Sequence, residues 1–222
     1  NAGMVIGVAD DPGMHSSQNE QDSRNYAIAA KLLMLEPSDS AECRDMTKLA
    51  YALSEQFDTP VMLRLSTRIA HSRSIVDTTD REDVPLKPYE KNVAKNVMMP
   101  GNAIRRHPIV EQRTRDLIAY AESAPVNRVE MGDTKLGIIT SSTSYQYAKE
   151  VFGDQASILK LGMIYPLPEQ LILDFASKVD RLVVIEELDA VIEEHCRQLG
   201  LEVSGKDILP LEGEYSQRLI AQ

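Results

Sequence analysis

The chain is short of cysteine, of basic charge and of long apolar runs, and each shortage removes a class of protein. Its 222 residues include two cysteines, Cys43 and Cys196. They lie far apart and form no Cys-x-x-Cys pair that could hold zinc or an iron–sulfur cluster. Both fall on apolar positions of expected helices and read as buried thiols in a reducing compartment. Lysine and arginine number 24 against 34 aspartates and glutamates, a net charge of −10. That is the wrong sign for a general nucleic-acid binder, which gains affinity by displacing counterions from phosphates. No stretch approaches the ~18 consecutive apolar residues of a membrane span, and the first residues lack the basic and apolar regions of a signal peptide. A cytoplasmic protein with no nucleic-acid or membrane partner is the default expectation. Glycine-rich nucleotide fingerprints, phosphate-binding loops and paired metal-binding histidines are missing too.

What remains, at 43% hydrophobic and 26% charged residues, is the composition of a globular protein with one large or two small domains. Asn1-Ala2 reads as a tag remnant, after which the sequence enters strand-like residues without a lead-in. The expectation is an internal piece of a longer protein.

Fifteen residues, 10–24, carry almost no aliphatic side chain, yet stand between the apolar strand expected at 4–9 and the helix or covered segment expected from 26 to 33. Such a loop leaves the carboxyl end of a strand, where open α/β sheets bind ligands. Next, Asp39 and Glu42 form a capping arrangement, and Cys43, Met46, Ala50, Leu53 and Phe57 repeat at steps of three and four. A strand at 61–66 completes a parallel crossover unit.

Between 70 and 127 the pattern loosens around Pro85, Pro88, Pro100 and Pro108 and reads as a connector, closed by a helix over 109–123. Lys87, Lys91, Lys95, Arg105 and Arg106 outnumber Glu90 there. The stretch could meet a phosphate group or an acidic subunit, although a solvated linker is the simpler reading. Beyond it, strands at 136–140, 157–161 and 182–186 alternate with helices at 143–152, 168–179 and 190–199. This alternation implies an α/β fold of parallel sheets with helices on both faces.

Arg24 closes the polar loop, and a guanidinium can hold a carboxylate by two parallel hydrogen bonds at any relevant pH. Pairing with Asp22 or Glu20 at the surface is the plainer alternative. His15, Ser16, Ser17, Gln18, Asn19 and Glu20 offer donors and acceptors to a polar cofactor, with no third group to complete a nucleophilic triad. His71 and His107 read as solvated, and His195 as an edge-of-core residue. The hydroxyls of Ser141-Ser142-Thr143-Ser144 open a helix, where capping outweighs an anion site. Glu186-Glu187 could take a proton or pair with an arginine across an interface; a solvated strand end is equally economical.

The run Ala9-Asp10-Asp11-Pro12-Gly13-Met14-His15-Ser16-Ser17-Gln18-Asn19-Glu20-Gln21-Asp22-Ser23-Arg24 is similar to a segment of the alpha subunits of the indolepyruvate ferredoxin oxidoreductase family. Residues 97–103 and Arg105-Arg106-His107 resemble the connector of those subunits. Leu161-Gly162-Met163-Ile164-Tyr165-Pro166-Leu167-Pro168 and Val183-Val184-Ile185-Glu186-Glu187 resemble the transketolase C-terminal-type domain of thiamine diphosphate enzymes.

The resemblance implies a 2-oxoacid:ferredoxin oxidoreductase that decarboxylates aryl pyruvates to acyl-CoA, using thiamine diphosphate, Mg and 4Fe–4S clusters in the full enzyme. Residues 3–70 would be the back half of a pyrimidine-binding domain, 71–133 a connector and 134–222 the transketolase C-terminal-type domain. Arg24 would contact the substrate carboxylate, and His15, Ser16, Ser17, Gln18 and Glu20 the cofactor. Partners would be a beta subunit, ferredoxin, CoA and the aryl pyruvate. The cofactor-activating glutamate, the diphosphate motif and the cluster cysteines are absent from this sequence, so the piece alone is expected to bind no cofactor fully and to be inactive. An exposed sheet edge would invite a homodimer. Alternatives are a pyruvate or branched-chain oxidoreductase, or a non-catalytic assembly module.

Overall fold

The apolar runs at 5–10 and 61–66 lie side by side in a computed structural model that describes residues 3–81, 83 and 88–222. Asn1, Ala2, Pro85 and Lys87 lie outside the described residues. Strand β1 (Val5–Asp10) pairs in parallel with β3 (Val61–Ser66), Val5 opposite Val61 and Asp10 opposite Ser66. Between them in sequence come α1 (Arg24–Ala30), β2 (Leu33–Leu35) and α2 (Ser40–Phe57). Short helices α3 (Thr67–His71) and α4 (Val93–Asn96) and the long α5 (Pro100–Ala121) follow. The rest comprises β4 (Arg128–Glu130), β5 (Gly137–Ser141), α6 (Ser142–Phe152), β6 (Ser157–Leu161), β7 (Met163–Tyr165), α7 (Glu169–Ala176), β8 (Leu182–Ile185), α8 (Val191–Gln198) and α9 (Gln217–Ile220).

Two four-stranded sheets result, ordered β1-β3-β2-β7 and β4-β6-β5-β8. The expected α/β class is present, with a correction: each sheet is mixed, because β7 runs antiparallel to β2 and β4 antiparallel to β6. Three-residue edge strands are too short to show a period of two, so the sequence pattern passes over both. Of the helix or covered segment expected over 26–33, the helix ends at Ala30 for a local reason. Lys31 adopts a left-handed conformation (φ 53°, ψ 42°), its N–H closes on Ala27 and Ile28, and the chain re-enters the sheet as the fully buried β2.

Helix α2 forms as its stripe requires, with Met46, Ala50 and Leu53 buried. Asp39 caps it by accepting the Glu42 N–H at 2.8 Å. The Glu42 carboxylate turns instead to Ser38 and to Lys160, whose ammonium is 2.6 Å away and fully buried in β6. The helix expected over 109–123 begins at Pro100 and runs through Pro108. A proline at the first turn loses no helical bond, and Pro108 removes one donor on a half of the helix where Ile104 and Ile109 are exposed. Only toward Leu117 and Ala121 does α5 reach the core.

One apolar cluster joins the two sheets: Ala27, Met34 and Met62 meet Ile139, Leu161, Ile164, Phe175, Val184 and Ile192. A second lies under α2 and α5, and a third puts α6 and α9 on the other face of the second sheet. Cys196 belongs to the first and is fully buried, while Cys43 is half-buried. Burial pushes the Cys196 thiol up to about 12 and the Cys43 thiol up to about 11. Both are therefore expected to resist a thiol reagent at about pH 8 in the folded chain and to react on denaturation. Rapid labelling of Cys196 in the native protein would contradict this packing.

Candidate functional site

Because Asp10 sits opposite Ser66, the polar loop after β1 and the helix α3 after β3 leave the same end of the first sheet. Asp11 organises the loop from that corner. One oxygen accepts the main-chain N–H groups of Ser16 (2.8 Å) and Ser17 (3.0 Å) and the Ser17 hydroxyl (2.9 Å). The other accepts the Thr67 hydroxyl at 2.5 Å. The Ser16 N–H first, then Thr67, hold the Asp11 carboxyl well below the usual carboxylate range. Two residues in left-handed conformations, Gly13 (φ 82°) and Met14 (φ 51°), make the turn. Glu20 ties the loop across, accepting from the N–H groups of Gly13 and, at 2.8 Å, of Gly213.

His15, Ser16, Ser17 and Gln18 stand exposed on this loop. His15 faces Glu214 at 3.4 Å, and Glu214 also receives two bonds from Arg68. A cavity of about 240 Å³ opens there, lined by His15, Thr67, Arg68 and His71. His71, expected to be merely solvated, is thus one wall of it.

Arg24 lies elsewhere. It is 1% exposed, and every guanidinium nitrogen donates inside the chain. Nε bonds both oxygens of Asp22, Nη1 bonds Glu186, and Nη2 bonds Asp22 and the carbonyls of Glu187 and Asp189. A two-point grip on a substrate carboxylate would require some of these bonds to be exchanged. Of the sequence alternatives, Asp22 is the partner but the pair is buried, and Glu186 is an intrachain partner from the end of β8. Burial works against the Asp22 charge, but Arg24 and then Arg64 outweigh it and hold its carboxyl below the ordinary value.

Arg64, 4% exposed within β3, completes the polar seam by bonding Asp10 and Glu36. Asp10 also accepts the Ser23 N–H at 2.9 Å and the Ser23 hydroxyl. Both ends of the loop are thereby fixed, by Asp10 and Asp11 at its start and by Asp22, Ser23 and Arg24 at its close. Sequence pattern alone does not mark Asp10, Asp22, Glu36 or Arg64 as functional. The signal it does carry is a charged residue inside an apolar strand, Val61-Met62-Leu63-Arg64-Leu65. Such a residue is buried only if paired.

Glu187 is buried beside this seam, accepting the Tyr215 N–H at 2.7 Å and the Thr143 hydroxyl at 3.3 Å. Burial raises its carboxyl above the ordinary value. The folded chain thus holds this proton more tightly than the unfolded chain, and the stability it contributes is fully present below the ordinary carboxylate value, about 4.3, and lost as pH rises through the raised one. Glu187→Gln is expected to stabilise the chain at neutral pH, with the gain vanishing below the ordinary value. Chemical denaturation at several pH values reads this directly, and a variant less stable at neutral pH would contradict it. Ser141, Ser142, Thr143 and Ser144 are buried around the start of α6. The Ser141 side chain makes no capping bond, contrary to the capping reading. His195 is half-buried, with Nε2 buried and unpartnered among the described residues and the ring held below its ordinary pKa by burial.

Among the described residues, no group of three or more His, Cys, Asp or Glu is placed to hold a metal ion. No described helix is long and apolar enough to cross a membrane.

Two mixed sheets of this kind occur in solved proteins. The 2-oxoglutarate:ferredoxin oxidoreductase of Magnetococcus marinus, solved with 2-oxoglutarate, coenzyme A and succinyl-CoA, superimposes with a TM-score of 0.71 over 99% of this chain and 47% of its own, at 14% identity. A split-gene transketolase in an inactive β4 tetramer superimposes with a TM-score of 0.53 over 90% of this chain and 56% of its own, at 16% identity. Residues 8–135 match the thiamine-diphosphate-binding domain of pyruvate flavodoxin/ferredoxin oxidoreductases, and the chain belongs to that family. The indolepyruvate oxidoreductase subunit IorA of Archaeoglobus fulgidus is 39% identical over 96% of this chain. The 2-oxoglutarate synthase subunit KorA of the same organism is 28% identical over 81% of it. The chain spans 36% of the length of the Archaeoglobus IorA subunit.

Proposed function

We propose that this chain is part of the alpha subunit of a cytoplasmic 2-oxoacid:ferredoxin oxidoreductase of the indolepyruvate type. It would contribute one wall of the site where an aryl pyruvate is decarboxylated to an acyl-CoA. The observation that carries this reading is the fixed polar loop: fifteen residues held at both ends and by Asp11, presenting His15, Ser16, Ser17 and Gln18 at the carboxyl end of a sheet. Similarity to the IorA subunits over almost the whole chain supports the aryl substrate over pyruvate, branched-chain oxoacids or 2-oxoglutarate.

The donor set fits part of the cofactor. The 240 Å³ cavity lined by His15, Thr67, Arg68 and His71, with Ser16, Ser17 and Gln18 exposed on the same loop, suits a polar heteroaromatic ring or a small carboxylate. No described group of His, Cys, Asp or Glu beside this cavity could hold the metal of a metal-bound diphosphate, and we assign that group, with Mg and the 4Fe–4S clusters, to parts of the subunit beyond this chain. Bound thiamine diphosphate supplies the electron sink for loss of carbon dioxide. The work of these residues is binding and orientation: His15, Ser16, Ser17 and Gln18 would offer hydrogen bonds to the ring, and Glu20 and Asp11 would keep them in register. Arg24 would act as a positioning residue through Asp22, becoming a carboxylate ligand only if it exchanged partners. Preorganisation of this kind is worth several kcal/mol of a barrier.

We read residues 3–70 as the back half of a pyrimidine-binding domain, 71–133 as a connector and 134–222 as a transketolase C-terminal-type domain whose β7 docks on the first sheet. A beta subunit, ferredoxin and CoA would be the partners. Val93, Val97, Met98, Met99 and Ile104 stand exposed along α4 and α5, and β1 is an open edge of its sheet. Both features support contact with another subunit, a second copy included.

The test is thiamine- and CoA-dependent dye reduction by the complete subunit and its partner, prepared anaerobically, with indolepyruvate, phenylpyruvate, pyruvate and 2-oxoglutarate. Preference for the aryl substrates is expected. Preference for pyruvate or 2-oxoglutarate would overturn the substrate, and inactivity with all four the enzymatic reading.

A further inference from the structure

The positive charge of this acidic chain is not spread evenly. Lys95 of α4 and Arg106 of α5 each contact one oxygen of Asp58, at 2.5 and 2.6 Å, and Arg113 donates to the Asp58 carbonyl at 2.7 Å. Arg105, on the same helix, bonds the side chain of Asn102 at 2.6 Å. Three cations thus meet Asp58, two at its carboxylate and one at its carbonyl, and Arg105 lines the same cavity as Lys95 and Arg106, in a protein whose net charge is −10. A cavity of about 270 Å³ opens among them, lined by Asn92, Lys95, Asn102, Arg105, Arg106 and Ile109. The two asparagines are held, Asn92 by capping α4 and Asn102 by donating to the Val97 carbonyl, so the walls are organised as well as charged.

The place of this cavity separates it from the loop. Asp58 caps the C-terminus of α2 just before β3 begins, whereas the polar loop lies where β1 and β3 end. A six-residue strand is about 20 Å long, so the two sites stand at opposite ends of the first sheet. Excess positive charge in a concave, partly desolvated site attracts anions strongly, and arginine forks match phosphate oxygens two at a time.

We propose that the cavity between α4 and α5 is a binding site for a phosphate-bearing small molecule, with Arg105 and Arg106 as its forks and Lys95 as a point charge. Its volume suits a diphosphate group or one phosphate with its ester carbon. The site is independent of the loop and does not rest on the reading of the loop as a cofactor wall.

Calorimetric titration of the chain with inorganic diphosphate at low salt tests it. Saturable binding is expected, weakened at least about tenfold by Arg105→Ala, since a charge-assisted hydrogen bond is lost. Asp58→Asn should move affinity the other way, because it removes the carboxylate that competes for Lys95 and Arg106. Asparagine tolerates the left-handed conformation of residue 58 (φ 52°, ψ 47°), so this variant keeps the helix cap. Opposite signs from the two substitutions cannot both arise from misfolding. Absence of binding would overturn the proposal. So would binding that is insensitive to Arg105→Ala but lost in Arg68→Gln, which would place the anion at the loop. Binding of an oligoglutamate peptide with no response to diphosphate would overturn it in favour of a protein partner.

Discussion

Arg24→Met is expected to lower the stability of the folded chain by about 3–5 kcal/mol, the usual cost of stranding buried charge. Asp22 and Glu186 are both buried against the guanidinium, which also closes the carbonyls of Glu187 and Asp189. Methionine fills much of the volume but leaves Glu186 without its guanidinium and Asp22 with Arg64 alone, 3.8 Å away. Arg24→Lys should recover little, because one ammonium cannot reach acceptors arranged around a planar fork. Asp22 is depressed by the same contact, so its share of stability is present above the ordinary carboxylate value and lost as pH falls through the depressed one. The Arg24→Met chain should therefore show a shallower acid limb. Urea unfolding at neutral and acidic pH measures both effects. A loss under about 1 kcal/mol, near that of an exposed pair, would mean that Arg24 is not committed to the fold and would return it to the role of substrate ligand.

Asp11→Ala is expected to leave the core intact and damage function. Its carboxylate gathers Ser16, Ser17 and Thr67, and nothing in the apolar clusters depends on it. Without it the loop stays attached at Asp10 and Asp22 but loses its internal register. Misplacement of binding groups by about 1 Å can cost on the order of 10²-fold, and a fall of that size in kcat/KM of the complete enzyme is the expected result. Asp11→Asn should recover part of the loss, since it keeps an oxygen acceptor. Unchanged kinetics in Asp11→Ala would mean that the loop meets neither cofactor nor substrate.

Where the sequence carries a period, it is a good guide. The stripe from Met46 to Leu53 and the strand at 61–66 appear as expected. It misleads where a single residue overrides the pattern. Lys31 turns the chain into β2, and two prolines conceal one continuous helix from Pro100 to Ala121. The polar loop is legible because an unbroken polar run between buried elements has no core to join and must face water or a ligand. Its fastening is not, because Arg24 and Glu186 are 162 residues apart and no local spacing reports such a pair. Arg64 and Lys160, each alone in an apolar strand, are the positions from which buried charge can be inferred, although not its partners.

Hydrogen exchange of the complete subunit, with and without thiamine diphosphate, tests most directly the claim that the loop is a cofactor-facing wall. The amides of residues 13–21 are expected to slow on cofactor addition while those around Asp58 are unchanged. Cofactor binding that protects other parts of the subunit and leaves residues 13–21 exchanging as before would contradict it.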